Sequence, residues 1–277
     1  MSSFSVTKIQ ERVWDFKEQT DTTSVDAYLI CGTKRALMID TLQNACGIYS
    51  KVRELTDLPV DVVITHGHFD HAGPVILEFN SQNSHIFLNQ KDWKIVKEMV
   101  SFHYPDDLFR DLEPGTNFSL GGRTLTTIAL PGHTPGSMAL ADKDNCLLFT
   151  GDGIGSGPFW LQFPYSSSVA QFQQCAEALL NEVSSWKKLL ILPGHRDQSP
   201  IQLGKQYLKD VIHTAKCIQE GTLRGEAKHM ELLPNLAPMQ FATVSYGQML
   251  GFFITLTVLR TKVFSHSHNS IPIIKSF

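Results

Sequence analysis

The chain contains no CxxC pair, no cluster of basic residues, no Pro- or Ser-rich linker and no internal repeat at a fixed period. Each absence removes a class of protein. Its five cysteines, Cys31, Cys46, Cys146, Cys175 and Cys217, are odd in number and unpaired in spacing. That argues against a disulfide framework and reads as buried free thiols in a reducing compartment. Lys and Arg are scattered and the formal net charge is -3, so the electrostatic footprint of a nucleic-acid binder is missing. The opening stretch "MSSFSVTKIQERVWDF" lacks the charged, apolar and small-residue regions of a secretory signal, and the expectation is a cytoplasmic protein.

What is present fits a folded globular protein. An apolar fraction of 42% with 18% charged residues is ordinary for a buried core, and disorder is disfavoured. Short β-branched or apolar runs at 25–30, 36–40, 61–65, 85–88, 124–130, 146–150 and 189–193 read as mostly buried strands. Helical patterns lie between them at 47–57, 90–100 and 169–186. A further helix is expected to open with Ser199 as N-cap and Pro200 at its first position, placing Ile201, Leu208, Val211, Ala215 and Ile218 on one face. Hairpins followed by alternating helices and strands suggest sheets covered by helices, an α/β (α+β) architecture. One domain over 1–230 is expected, with a C-terminal extension over 231–277 packed on it.

That extension is less regular. Residues 241–259, "FATVSYGQMLGFFITLTVL", carry no charge and are long enough for a membrane span. Their glycines, threonines, Ser245 and Gln248 favour two buried strands broken at the glycines instead. The pair His266 and His268 has no acidic companion and reads as polar tail.

The densest chemistry is "THGHFDHAG", residues 65 to 73, which places His66, His68, Asp70 and His71 within six positions. Three more candidates follow, all at the ends of expected strands: His133 in "LPGHTPGS", Asp152 in "FTGD" and His195 in "LPGH". Strand ends leading into Gly-containing turns present side chains rigidly at one edge of an α/β scaffold. Imidazole and carboxylate ligands without thiolate suit zinc, iron or manganese, and seven ligands are too many for one four-coordinate ion. Two adjacent ions would use them well. Within the motif, His66 and His68 can point the same way, and Asp70 and His71 can aim at a second ion.

These motifs, with "DT" at Asp40 and Thr41, resemble the metallo-β-lactamase-fold superfamily, over roughly residues 10 to 220. The resemblance implies an αββα sandwich with a binuclear metal site along one edge of the sheets. It implies that His66, His68 and His133 bind the first ion, that Asp70, His71 and His195 bind the second, and that Asp152 bridges them. Asp40 is implied to orient a ligand histidine, and Asp70 to be the catalytic proton acceptor beside a bridging hydroxide. The bridging aspartate resembles glyoxalase II-like thioesterases and lactonases rather than the true lactam-cleaving enzymes. Gly155 stands where lactonases of this fold often carry a tyrosine, which turns the expectation away from acyl-homoserine lactones.

The expected activity is hydrolysis of a small ester, thioester or lactone-type acyl bond with two divalent ions per chain, zinc first, with iron and manganese open. The alternative is a mononuclear non-haem iron oxidoreductase of the persulfide dioxygenase type. Phe159, Trp160, Phe163 and Tyr165, in the loop after Asp152, are candidates to contact an apolar or acyl substrate. The expected partner is that small molecule: nucleic acid is excluded, a membrane is disfavoured, and a homo-oligomer is left open.

Overall fold

Strand β3 (Ser24–Cys31) has no exposed residue, and its alternating side chains enter two different cores. It lies within a sheet that takes its strands in chain order: β1 (Phe4–Gln10), β2 (Val13–Gln19), β3, β4 (Ala36–Ile39), β5 (Val60–Val63), β6 (Ile86–Leu88) and β7 (Phe109–Asp111). The connections on this half carry α1 (Ile48–Leu55), α2 (Ile76–Asn80) and α3 (Trp93–Met99). Val25, Ala27 and Leu29 pack with Ile48 and Val52 of α1, Ile76 and Phe79 of α2 and Val96 of α3. Tyr28 and Ile30, on the other face, meet a second sheet. A strand covered on both faces must be apolar at nearly every position, which is why this region reads as a continuous run.

The second sheet contains β8 (Asn117–Ser119), β9 (Thr124–Ala129), β10 (Met138–Asp142), β11 (Leu147–Gly151) and β13 (Leu190–Pro193), ordered β13-β11-β10-β9-β8. Met138, Leu140, Leu147, Phe149 and Leu192 form the layer between the sheets, whereas Ala139, Ala141, Leu148 and Ile191 turn outward. The outward set is covered by α4 (Val169–Glu182) and α5 (Lys205–Gln219), through Phe172, Ala176, Leu179, Leu208, Val211 and Ala215. Helix, sheet, sheet, helix is the order of layers, as the sequence leads one to expect. Two backbone bonds stitch the sheets together at one edge: Asp26 N–H to Gly194 O at 2.7 Å and Met138 N–H to Thr65 O at 2.9 Å.

A third sheet joins β12 (Phe159–Leu161) to β14 (Gly225–Met230), β15 (Met239–Met249), β16 (Phe252–Leu259) and β17 (Ser270–Ile271), in the order β12-β16-β15-β14-β17. Residues 241–249 and 252–259 of the uncharged run therefore pair as antiparallel strands, and a register shift between Tyr246 and Met249 brackets Gly247. No helix among the described residues is long and apolar enough to cross a membrane. The computed structural model describes residues 3–19, 24–82, 84–99, 103–157, 159–199, 202–223, 225–230, 239–249, 252–259 and 270–271. His266 and His268 lie outside the described residues.

One helix start differs from expectation. Helix α5 begins at Lys205 with Gly204 as N-cap, six residues after Ser199. Just before it, Leu203 O accepts from Ile191 N–H of β13, and the Ser199 hydroxyl donates to Gly155 O instead of capping a helix. Leu208, Val211, Ala215 and Ile218 are buried on one face as expected, while Pro200 and Ile201 lie outside the described residues. The 90–100 pattern also divides, into a 3-10 turn over Gln90–Asp92 and then α3.

Phe149 is fully buried between the sheets, its ring 5.2 Å from that of Tyr28. Phe149→Ala is expected to lower the unfolding free energy by about 3–5 kcal/mol, read by denaturant titration. A loss below about 1 kcal/mol would show that this layer does not join the sheets.

Candidate metal centre

All seven candidate ligands from the sequence meet at the stitched edge. His66 follows β5, His133 sits in the turn between β9 and β10, Asp152 follows β11 and His195 follows β13. The motif itself is a tight turn: the N–H groups of His71 and Ala72 both bond His68 O. The side chains form two groups, His66 with His68 and His133, and Asp70 with His71, Asp152 and His195. Within each group, one nitrogen or oxygen of every residue lies within 4.8 Å of the others. Asp152 faces both groups: its Oδ1 is 3.3 Å from His71 Nε2, and its Oδ2 is 3.2 Å from His195 Nε2 and 3.7 Å from His133 Nε2. Asp70 Oδ2 lies 3.4 Å from His195 Nε2 and 3.8 Å from His71 Nε2.

Each histidine has its outward nitrogen engaged. His71 Nδ1 meets Asp40 Oδ2 at 3.0 Å, and His133 Nδ1 meets Trp160 O at 2.9 Å. His195 Nδ1 bonds Ser24 O, His66 Nδ1 lies 3.2 Å from Thr65 Oγ1, and His68 Nε2 lies 2.8 Å from Tyr165 Oη. Asp40 is held in a left-handed conformation at φ 60, which aspartate tolerates better than most residues. It also accepts bonds from Thr65 N–H and the Thr65 hydroxyl, so one carboxylate orients both His71 and the residue preceding His66. Gly194 is dictated by closeness: a Cβ there would stand 2.3 Å from His71 Cε1 and 2.6 Å from Asp152 Oδ1. That accounts for the Gly before His in "LPGH".

The electrostatics of the two groups differ. Burial, reinforced by neighbouring histidines, pushes His66 well below its ordinary range and His68 down to about 3, and burial lowers His133 too. These three imidazoles are neutral at pH 7. Burial resists a charge on His71 and His195 as well, but the carboxylates of Asp152 and Asp70 outweigh it, raising His71 well above its usual value and His195 to about 10. In turn, and against their own burial, these histidines hold Asp70 at about 2 and keep Asp152 well below the usual carboxylate range.

The donor set fits divalent metal. Nε2 of His66 is buried with no hydrogen-bond partner, and Nε2 of His71 faces Asp152 Oδ1 out of hydrogen-bonding alignment. Buried polar atoms left in that state are costly unless something else binds them.

Of the four aromatics after Asp152, Phe163 lies edge-on to His68 and His133, with ring centroids at 5.1 and 5.8 Å. It stacks on Tyr165 at 5.3 Å and Trp160 at 6.1 Å, forming a wall beside the three-histidine group. Phe159 is elsewhere, 2% exposed and packed on Phe172 and Tyr207 in the outer helix layer.

Sequence reasoning missed Asp92. It is fully buried and accepts bonds from Gly67 N–H at 2.9 Å, Gly136 N–H at 2.7 Å and the Thr134 hydroxyl at 2.6 Å. It thereby ties the loop of His66 and His68 to the loop of His133. An aspartate in the first turn before a helix looks like ordinary helix-start chemistry, which masked it. Asp92→Ala strands these donors in a dry site and is expected to cost about 2–4 kcal/mol in urea unfolding. A cost under about 0.5 kcal/mol would remove the tie between the loops.

The comparisons with known proteins agree with this geometry. A sequence profile described as the metallo-beta-lactamase superfamily matches residues 20–195. The acyl-coenzyme A thioesterase MBLAC2 of Gallus gallus is 27% identical over 219 residues, covering 68% of this chain and 76% of that protein. In the human protein of the same name the match covers 56% of its length, at 28% identity. The hydroxyacylglutathione hydrolase GloC of Haemophilus influenzae is 28% identical over 137 residues, 45% of this chain and 63% of that one. Among solved structures, a metallo-beta-lactamase from Pontibacter korlensis superposes with a TM-score of 0.60 at 19% identity, over 77% of this chain and 99% of its own. Because the profile match spans well over half of the chain and includes all seven converging side chains, with the strands that lead into them, the chain belongs to the metallo-beta-lactamase superfamily.

Proposed function

We propose that the protein is a metal-dependent hydrolase that cleaves acyl thioesters at a centre of two divalent ions. The observation that carries the reading is Asp152, one carboxylate in reach of both ligand groups. His66, His68 and His133 would hold one ion, Asp70, His71 and His195 the other, and Asp152 would bridge. Imidazole and carboxylate donors without sulfur suit zinc first, with iron or manganese compatible. Bound there, such ions would supply Lewis acidity toward a carbonyl oxygen and lower the pKa of water toward neutrality. The thioester class follows the relatives' names, an acyl-coenzyme A thioesterase and a hydroxyacylglutathione hydrolase.

The chain's own residues have separate tasks. Asp70, held at about 2, stays a carboxylate near neutral pH; it would accept a hydrogen bond from an attacking water and, as a weak base, pass that water's proton on rather than keep it. Asp40 fixes the tautomer of His71 so that Nε2 faces the ligand group. Phe163, Tyr165 and the half-buried Trp160 offer apolar area beside the three-histidine group, where an acyl chain would lie out of water.

The deciding experiment is elemental mass spectrometry on untagged protein purified without chelator, followed by assays with acyl-coenzyme A and hydroxyacylglutathione thioesters. About two ions per chain with thioester turnover is the expected result. One iron per chain with oxygen consumption would replace the reading with the non-haem iron oxidoreductase. Asp152→Ala is expected to lose one ion and to lower turnover by about two orders of magnitude or more; wild-type metal content in that variant would remove its bridging role.

Metal loading should also depend on pH unequally. An ion entering the group of His71 and His195 must displace protons, whereas His66, His68 and His133 have none to lose near neutrality. Affinity at the carboxylate-bearing group is expected to fall about tenfold per pH unit for each proton displaced as pH drops below the raised histidine values. Zinc calorimetry in buffers of different ionisation enthalpy reads the released protons, and equal release at both sites would contradict the assignment.

A further inference from the structure

The five histidines do not all face the centre alike. His66, His71, His133 and His195 turn Nε2 inward and present Nδ1 to Thr65, Asp40, Trp160 O and Ser24 O. His68 is reversed: its Nδ1 lies 2.8 Å from His133 Nε2 inside the three-histidine group, and its Nε2 points out to Tyr165 Oη at 2.8 Å. For Nδ1 to offer a lone pair to an ion, the ring proton must sit on Nε2. The Tyr165 hydroxyl is the acceptor placed to receive it, and its own proton goes to Met99 Sδ at 3.6 Å. The phenol is thus used once as acceptor and once as donor, with no polar atom left over.

The same stretch of chain engages the neighbouring ligand. Trp160 O accepts from His133 Nδ1–H, the Ser166 hydroxyl donates to His133 O at 2.8 Å, and the Phe163 ring lies against both imidazoles. Residues 160–166 therefore form a strap across the back of the three-histidine group. We infer that Tyr165, beyond lining an acyl pocket, is a positioning residue for His68: its hydroxyl fixes the ring so that Nδ1 serves the first ion. This inference rests on the metal-centre reading above.

Tyr165→Phe keeps the ring stack on Phe163 and removes only the hydroxyl. In that variant, affinity for the more tightly held zinc ion is expected to drop about 10- to 100-fold in chelator competition. The melting temperature of the metal-free protein should stay at the wild-type value. In nitrogen-15 spectra of zinc-loaded protein, a slowly exchanging His68 Nε2–H signal is expected in the wild type and should exchange rapidly in the variant. Phe163→Leu serves as the contrast, with the hydroxyl in place and the ring stack altered, and should retain the His68 signal. If Tyr165→Phe binds zinc as tightly as wild type, keeps the His68 signal and changes only KM for an acyl thioester, the residue is a wall and the inference fails. If the wild type itself takes up no divalent ion, the metal-centre reading fails, a result separable from the first. Should Tyr165→Phe also lower the metal-free melting temperature, the His68 signal decides: slow exchange retained in zinc-loaded Tyr165→Phe would overturn the inference, and its loss there but not in Phe163→Leu would support it.

Discussion

Five imidazoles and two carboxylates cannot share one buried edge unless every ring is told which nitrogen faces inward, and that constraint governs the rest of the structure. A neutral imidazole has one donor and one acceptor. If the outward nitrogen lacked an acceptor, the ring could turn over or move its proton inward and close the site to an ion. The protein meets the requirement with five different oxygens: Asp40, the hydroxyls of Thr65 and Tyr165, and the carbonyls of Trp160 and Ser24. Two of these come from the first sheet, one from the motif loop and two from the segment after Asp152. Orientation of the site is therefore distributed over the whole sandwich.

The two sheets contribute in complementary ways. Strand ends deliver His66, Asp152 and His195 with little freedom, because the strands behind them are buried on both faces and joined by parallel ladders. The turns then need their own braces. Asp92 is the brace between the loop of His66 and His68 and the loop of His133, and Asp40 is the brace between His71 and Thr65. Both are buried carboxylates that accept several hydrogen bonds, the condition under which a buried carboxylate stabilises a loop rather than disrupts it.

This division decides what could be read from the sequence. The HxHxDH string is legible because its chemistry is local, with four ligand types in six residues. His133, Asp152 and His195 are legible because each ends an apolar run and neighbours a glycine. Asp92 is not, since its partners Gly67, Thr134 and Gly136 lie far along the chain and two of the three bonds are to backbone. Trp160 and Ser24 act through carbonyls, which leave no mark on residue type. Phe159 and Trp160 are adjacent aromatics that strand alternation sends to opposite sides, Phe159 to the helix layer and Trp160 toward the ligands. A strand of three residues is too short for that period to show. The start of α5 has a related cause. Ser-Pro carries strong local helix-start chemistry, but the Ser199 hydroxyl is engaged by Gly155 O and Leu203 O by Ile191 N–H of β13, and the helix opens only at Lys205.

Strand β12 also links what this chain shares with its superfamily to what lies beyond the matched region. Its parallel register sets Phe159 against Leu256, Trp160 against Thr257 and Leu161 against Val258, all of them partners from β16. Three residues cannot form a stable strand alone, and adjacent residues of a strand direct their backbone groups to opposite edges. One edge of β12 is thus completed by a segment outside the 20–195 match, while the Trp160 carbonyl on the same short strand bonds His133. The β-branched and aromatic run 252–259, the second half of the uncharged stretch 241–259 that by length also suits a membrane, is used here as a sheet partner.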